Sequence, residues 1–133
     1  LAVELDPVLA QHVAWKYPDV EVVLGDAVAL GDLLAERDIS QVDAVVSGLP
    51  WSLIRPDSQH AILDVVARAL CPGAPFTTVA YLHARLMSGA RGFRALLDEV
   101  FDEVLMTSTV WRNLPPALTY VCRRPRPRHG RGR

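Results

Sequence analysis

The 133-residue sequence predicts an α/β fold, a doubly wound and mostly parallel sheet that ends in an antiparallel hairpin. Short apolar segments of strand character alternate with amphipathic helical segments, which is the order of parallel strands joined by crossover helices. The last two strand-like segments lack a full helix between them and therefore predict the hairpin. Three earlier strand-like segments end in a polar residue, namely Glu4, Asp26 and Ser47.

The first part of the chain contains three predicted strands and two predicted helices. Apolar runs predict strands at 1–5, 20–24 and 42–47. A helix is predicted over 7–16, because Pro7 suits a first helical turn and Asp6 suits an N-cap. A second, shorter helix is predicted over 30–37.

The second part of the chain is predicted to add two helices and three strands. One helix starts at Asp57 or Ser58 and is ended by the Pro72-Gly73 pair. Its apolar face is formed by Ile62, Leu63, Val66 and Leu70. Another helix, over 92–100, turns inward the side chains of Phe93, Leu96 and Leu97. The strands are predicted at 76–82, 104–110 and 118–122.

Length and composition fit one domain without a membrane span. A chain of this size buries about two-thirds of its unfolded surface. Half of the residues are apolar, yet no apolar run reaches the roughly 18 residues of a membrane-spanning helix. Cys71 and Cys122 lack the spacing of metal ligands, so we expect no metal site and two reduced thiols in a cytoplasmic protein.

Charge is distributed unevenly along the chain. Six of the 14 basic residues are arginines within 123–133, whereas all 15 acidic residues precede that segment. Proline, glycine and like charge over 125–133 predict a disordered tail, so we expect the folded domain to cover 1–124. The tail suits a solubilising segment and a contact with anionic lipid or nucleic acid equally well.

Four segments of the chain resemble a known family. They are LAVELDP at 1–7, LGDA at 24–27, VSGLPW at 46–51 and VWRNLPPA at 110–117. Together they resemble the class I S-adenosylmethionine-dependent methyltransferases over 1–124, closest to bacterial phospholipid N-methyltransferases and the rRNA adenine dimethyltransferase group. The last two segments are the more specific and favour the phospholipid branch. Adenine methyltransferases usually carry Asn/Asp-Pro-Pro-Tyr or Asn-Ile/Leu-Pro-Tyr where this chain has Ser-Gly-Leu-Pro.

The resemblance implies a site for the cofactor S-adenosylmethionine at the carboxyl ends of the strands. Glu4 would accept hydrogen bonds from both ribose hydroxyls. Asp26 would accept one from the adenine amine, and Ala27 would offer a backbone N–H beside it. The alternatives are a solvent-facing strand end for Glu4 and a helix N-cap for Asp26.

The resemblance also implies that the turn after the third strand lies beside the methyl group to be transferred. The Ser47 hydroxyl, which also counts among the cofactor contacts, and nearby carbonyls would accept hydrogen bonds from the attacking amine. Pro50 would stiffen the loop. Trp51 would cover the amine by a cation–π contact as it becomes cationic. A core position is the alternative for Trp51.

Further residues are assigned to the substrate site. Tyr81, His83 and Trp111 are the candidate contacts, and Tyr120 is considered with them, although core positions suit Trp111 and Tyr120 at least as well. The candidate bases are His83 and Asp57. A lone histidine is more often structural than catalytic.

One feature of the family is missing from the sequence. No glycine-rich turn precedes Glu4, and the chain starts within a strand-like segment. The strand expected between the segments ending in Glu4 and Ser47 is therefore absent. We expect an N-terminally incomplete methyltransferase that binds its cofactor weakly or not at all on its own.

Three functions remain open on this basis. The favoured one is N-methylation of phosphatidylethanolamine or a related amine by a cytoplasmic protein at the inner membrane surface, with the arginine tail aiding adsorption. The second is methylation of adenine in rRNA, with Trp51 stacking on a flipped base. The third is a non-enzymatic binding module or an inactive fragment.

Overall fold

The structure, a computed structural model, describes residues 1–82 and 88–127, and residues 88–90 by their backbone alone. It divides into two compact units, 1–40 and 41–133. Each unit combines parallel strands with helices, as the alternating sequence pattern predicts.

The first unit is a β-α-β arrangement followed by two short helical segments. Its elements are β1 (Ala2–Glu4), α1 (Pro7–Lys16), β2 (Val22–Leu24), a 3₁₀ turn (Ala27–Ala29) and α2 (Leu30–Ala35). Asp6 caps α1, because its Oδ1 accepts hydrogen bonds from the N–H groups of Val8 and Leu9 at 2.7 and 3.0 Å. β1 and β2 pair in parallel with Glu4 opposite Leu24, so their carboxyl ends meet at one edge.

Close packing explains the glycine that follows β2. A Cβ added to Gly25 would lie 3.2 Å from Cδ1 of Leu33, which is closer than ordinary van der Waals contact. The Gly25 N–H donates to the Glu4 carbonyl at 2.9 Å and extends the parallel pairing by one residue. The turn that leads to Asp26 is therefore held against both β1 and α2.

The second unit contains a four-stranded mixed sheet. Its elements are β3 (Val45–Ser47), a 3₁₀ turn (Trp51–Leu53), α3 (Pro56–Ala69), β4 (Phe76–Tyr81), α4 (Ser88–Val100), β5 (Phe101–Met106) and β6 (Ala117–Pro125). The strand order is β3-β4-β6-β5, with β3 and β4 parallel and the other two pairs antiparallel. The predicted C-terminal hairpin is confirmed.

The core of the second unit lies between this sheet and the helices α3 and α4. All seven side chains predicted to face inward from the two helices are buried. Phe76 of β4 stacks on Phe101 of β5, with ring centroids 5.8 Å apart and planes at 7°. Leu63, Leu97 and Cys122 have no exposed surface.

β5 begins three residues earlier than predicted. The sequence pattern predicted a strand over 104–110, whereas α4 passes directly into β5 at Phe101, which is 1% exposed. Asp102 and Glu103 are of residue types that are more common in turns than in strands, but they lie on β5. They are compensated by arginines at the end of β6, since Glu103 approaches Arg124 to 3.5 Å.

The strands form two sheets, and the division falls between the segments that end in Glu4 and Ser47, where the sequence analysis expected no strand. Within the described residues β1 pairs only with β2, and β3 only with β4, so β1 and β3 each have an edge without a strand partner.

At the C-terminal end of the chain, the Arg126 N–H donates to the Val100 carbonyl at 2.8 Å. The ordered chain thus continues past the expected boundary at 124, and residues 128–133 of the predicted tail lie outside the described residues.

Candidate active site

Two carboxylates lie at the edge where β1 and β2 end. Glu4 is half-buried, and its Oε1 accepts a hydrogen bond from the Asp6 N–H at 2.9 Å. Asp26 is exposed, and its Oδ1 accepts one from the Val28 N–H at 3.0 Å. Asp26 is therefore an N-cap of the 3₁₀ turn, the alternative considered from the sequence. In each carboxylate the second oxygen has no hydrogen bond to the described residues.

In the second unit the chain turns sharply after β3. Ser47 ends the strand in register with Thr78 of β4. The indole Nε1–H of Trp51 points back toward both and donates to Thr78 Oγ1 at 2.9 Å and to Ser47 Oγ at 3.2 Å. The Leu49 N–H donates to the same Ser47 oxygen at 3.3 Å. The side chain of Trp51 thereby ties the turn to the sheet.

These contacts change the role available to the Ser47 hydroxyl. A serine oxygen has two lone pairs, and here both accept hydrogen bonds from the protein. The hydroxyl can still donate, and a substrate amine that donated to Ser47 would have to replace one of these two contacts. The Gly48 carbonyl, in contrast, accepts no hydrogen bond from the described residues, and a Cβ on Gly48 would meet no atom within 4 Å.

A buried glutamine fixes the rest of the turn. Gln59 is 3% exposed, and its Nε2 donates to the carbonyls of Trp51 and Ile54 at 2.6 and 3.1 Å. The sequence analysis missed this residue, although its position indicates it. Gln59 lies one helical turn before Ile62 and Leu63 on the apolar face of α3, where a polar side chain needs buried partners.

The ring of Trp51 lies in the core. It is 4% exposed and stacks on Phe93 of α4, with centroids 4.4 Å apart and planes at 13°. Its edge meets Phe76 at 6.2 Å in a T-shaped contact. The expected cation–π contact with a substrate needs an accessible ring face. The structure differs from that expectation because the hydrogen bond to Thr78 draws the indole inward.

The remaining aromatic candidates separate into core and surface. Tyr120 is 4% exposed, and the Arg94 guanidinium lies 5.4 Å from its ring centroid, so Tyr120 belongs to the core. Tyr81 ends β4 and is 45% exposed, whereas Trp111 is 72% exposed. His83 lies outside the described residues.

Tyr81 and the segment that carries Trp111 lie at the same end of the sheet. Tyr81 pairs with Ala117, and Ala117 forms an isolated bridge with Val110, the neighbour of Trp111. Because β3 and β4 are parallel, this end is also where Ser47 and its turn lie. The structure therefore brings the turn, Tyr81 and the Trp111 segment to one edge of the second unit.

Two titratable groups of the second unit, Cys122 and Arg94, have shifted pKa values. Burial raises the pKa of the Cys122 thiol to about 12, so this group stays protonated at neutral pH. A two-pronged hydrogen bond to Asp98 raises the pKa of the Arg94 guanidinium. Asp57, a candidate base, is exposed in the first turn of α3. No cluster able to hold a metal ion occurs within 1–82 and 88–127.

The arginines that begin the C-terminal basic segment are already paired. Arg126 Nε donates to Asp102 Oδ1 at 2.8 Å, while Arg123 and Arg124 approach Glu103 to 3.9 and 3.5 Å. All these pairs lie where β5 begins and β6 ends, which is the opposite end of the hairpin from Tyr81 and Trp111. The remaining arginines of the segment lie outside the described residues.

Comparison of the sequence with known proteins finds one informative relative. No family model matches the chain. An ornithine lipid N-methyltransferase of Singulisphaera acidiphila is 32% identical over 126 residues, which is 92% of this chain and 62% of that protein. The chain thus spans less than two-thirds of the length of the relative it matches.

Solved structures share the architecture at low sequence identity. Human methyltransferase-like protein 13 in complex with SAH matches with a TM-score of 0.66 and 17% identity, over 99% of this chain and 62% of that one. The N-methyltransferase NodS of Bradyrhizobium japonicum with S-adenosyl-L-homocysteine gives 0.65 and 14%, over 93% and 65%. An rRNA methylase of Streptococcus thermophilus gives 0.62 and 13%, over 92% and 72%. At these identities the likeness establishes the fold.

Proposed function

We propose, from the premise that this chain has the fold of the class I S-adenosylmethionine-dependent methyltransferases, that it is an N-methyltransferase for an amine-bearing membrane lipid. The observation that carries the proposal is the turn after β3. Its backbone is fixed from inside by Trp51 and Gln59, while Gly48 is exposed and its carbonyl accepts no hydrogen bond from the described residues. A rigid, unpaired acceptor at a sheet edge suits an amine that needs its lone pair aimed.

The carboxylates at the ends of β1 and β2 suit the cofactor. Glu4 and Asp26 would hold S-adenosylmethionine, since a carboxylate oxygen accepts hydrogen bonds from ribose hydroxyls and from an adenine amine. Each carboxylate is held in place through one oxygen, and the other oxygen accepts no hydrogen bond from the part of the chain that the structure describes. When bound, the cofactor supplies an electrophilic methyl group.

The residues of the turn have distinct roles in this proposal. The Gly48 carbonyl accepts an N–H of the substrate amine and so orients the nitrogen lone pair. Trp51 acts indirectly, because its indole holds Ser47 and the turn against β4. Pro50 begins the 3₁₀ turn with its carbonyl bound to the Leu53 N–H at 2.9 Å, which limits movement of the loop.

A lipid amine is supported over a nucleic-acid base by two observations. The relative from Singulisphaera acidiphila is named for an N-methyltransferase of ornithine lipid, a lipid with an amino group. Stacking on a flipped base would need an exposed ring in the turn, and Trp51 has 4% of its surface exposed. Phosphatidylethanolamine and related amino lipids are the substrates proposed, at the cytoplasmic surface of the membrane.

Methyl transfer with a labelled cofactor tests the proposal. The protein, with any residues that its gene encodes before Leu1, is incubated with methyl-tritiated S-adenosylmethionine and micelles of phosphatidylethanolamine or ornithine lipid. We expect label in these lipids and none in the same lipids after N-acetylation, which removes the nucleophilic lone pair. Label in an rRNA transcript alone, or in no acceptor at all, would contradict the proposal.

A further inference from the structure

The segment between β5 and β6, residues 107–116, presents apolar side chains to solvent. Leu114 is 95% exposed, Trp111 72% and Val110 57%. Three large apolar side chains this exposed within five residues form a protruding apolar tip, and such tips mark contact sites. This segment is called the β5–β6 loop below, and its tip is residues 110–114.

The backbone of the β5–β6 loop is held in place although its side chains are not buried. Val110 and Ala117 exchange backbone hydrogen bonds at 2.7 and 3.4 Å, and Asn113 Nδ2 donates to the Pro115 carbonyl at 2.8 Å. The Leu82 N–H donates to the Pro116 carbonyl at 2.9 Å. The apolar tip is thus a formed structure, and its ordering does not have to accompany binding.

A cation lies within the apolar tip. Arg112 is exposed between Trp111 and Leu114, and it forms no ion pair with any described residue. This contrasts with Arg123, Arg124 and Arg126, whose charges are paired with acidic residues of β5. The charge of Arg112 is therefore available to an anionic partner.

We propose that the tip of the β5–β6 loop docks on the surface of an anionic phospholipid bilayer. Trp111 and Leu114 enter the boundary between headgroups and acyl chains, and Arg112 pairs with a lipid phosphate. This inference rests on the proposed function and deepens it, since it identifies the element that brings the chain to its lipid. It places the docking surface on this loop and not on the paired arginines at the end of β6.

The size and chemistry of the tip favour a bilayer over a protein. Even a large aromatic side chain buries only about 150–250 Å². Three side chains therefore fall short of the roughly 800 Å² per partner in a standard protein interface. Insertion of a few side chains is sufficient for reversible membrane contact, and tryptophan is enriched at the membrane–water interface.

The position of the loop agrees with the use of a lipid headgroup. It lies beside Tyr81, at the end of the sheet where Ser47 and its turn also lie. On β5, Leu105 and Met106 lead into the loop and are 51% and 46% exposed. A bilayer that met the tip would thus present its headgroups to the edge that carries the Gly48 carbonyl.

Vesicle cosedimentation tests the docking separately from methyl transfer. The vesicles contain phosphatidylcholine with phosphatidylglycerol, which have no methylatable amine, so that binding is measured without turnover. Trp111→Ala and Leu114→Ser are each expected to lower the partition coefficient about tenfold. Trp15→Ala, which removes an equally exposed tryptophan from α1, should leave it unchanged within about twofold. Equal effects of Trp111→Ala and Trp15→Ala would overturn the proposal.

A matched pair of variants tests the role of the charge in the tip. Arg112→Gln is expected to weaken binding to the vesicles with phosphatidylglycerol about fivefold and to leave binding to pure phosphatidylcholine unchanged. Arg68→Gln, at an exposed position in the last turn of α3, is the control. Added salt should reduce the difference between the two variants. Identical behaviour of the two variants on anionic vesicles would contradict the assigned role of Arg112.

Fluorescence shows whether the side chain of Trp111 enters the bilayer. In a Trp15→Phe background the remaining tryptophans are Trp111 and the buried Trp51. Entry of Trp111 into the bilayer is expected to shift its emission to shorter wavelength. Brominated lipids in that bilayer are expected to quench the emission. Quenching by an RNA oligonucleotide with none by brominated lipid would overturn the proposal in favour of a nucleic-acid surface.

The two proposals fail in different ways. Vesicle binding without lipid methylation would contradict the proposed function alone. Methylation with unaltered binding of the tip variants would contradict only this inference.

Discussion

Two tryptophans of the second unit, each in a turn that follows a strand, have opposite environments. The ring of Trp51 is buried by Phe93 and Phe76, and the backbone around it includes the Gly48 carbonyl, which has no hydrogen-bond partner among the described residues. In the β5–β6 loop the backbone is hydrogen-bonded and the ring of Trp111 is exposed. The first turn therefore offers its main chain to a ligand, and the second offers its side chains.

The largest expected difference is in stability. Trp51→Ala removes a stacked, hydrogen-bonded ring from the core and is expected to lower the free energy of unfolding by about 3–5 kcal/mol. Trp111→Ala removes an exposed ring and should change it by less than about 0.5 kcal/mol. Urea denaturation followed by circular dichroism measures both. Similar losses from the two substitutions would mean that the two environments are wrongly assigned.

The second-largest expected loss of stability concerns Gln59, which holds the turn after β3. Gln59→Leu leaves the carbonyls of Trp51 and Ile54 without their buried donor, and we expect a loss of about 2–3 kcal/mol in the free energy of unfolding. Gln11→Leu makes the same change at an exposed position of α1 and serves as the control. If the two substitutions had equal effects on the urea midpoint, Gln59 would not anchor the turn.

A smaller effect is expected from Gly48→Ala, which should lower activity without lowering stability. Gly48→Ala adds a methyl group to open space, so the melting temperature should not fall. If an amine approaches the Gly48 carbonyl, the methyl group crowds it, and we expect kcat/KM for the amino lipid to fall about tenfold, or about 1.4 kcal/mol of transition-state stabilisation. Gly31→Ala, also directed into open space but within α2, is the control and should slightly raise stability.

The smallest effect concerns Ser47. In Ser47→Ala the indole of Trp51 keeps its shorter hydrogen bond to Thr78, so the loss of stability should stay below about 1 kcal/mol. Thr78→Val removes that shorter bond and should cost more. Activity of Ser47→Ala should remain within about twofold of the parent protein, since both hydrogen bonds that the hydroxyl accepts come from the protein itself. A loss as large as from Gly48→Ala would restore Ser47 as the acceptor.

Local signals in the sequence predicted the elements and the buried faces of α3 and α4, but they did not decide the placement of Trp51. α1 spans the predicted residues because its cap and first turn are encoded within 6–9. The burial of Trp51 depends on Thr78 and Phe93, which are distant in sequence, so no local pattern indicates it. The start of β5 was missed because the acidic residues there are compensated by arginines some 20 residues later.

The hydrogen bond between Glu4 and Asp6 has a consequence for the thermodynamics of ligand binding. The Glu4 carboxylate is already oriented by the Asp6 N–H in the absence of a ligand, so its rotamer freedom is reduced before binding. A diol that meets the other oxygen would therefore lose less conformational entropy at this side chain than at a freely rotating glutamate. In Glu4→Asp the shorter side chain can still accept from an N–H two residues on, as Asp6 and Asp26 do here, but its second oxygen is withdrawn from the diol. The resulting weaker affinity would therefore have an enthalpic component that calorimetry can measure.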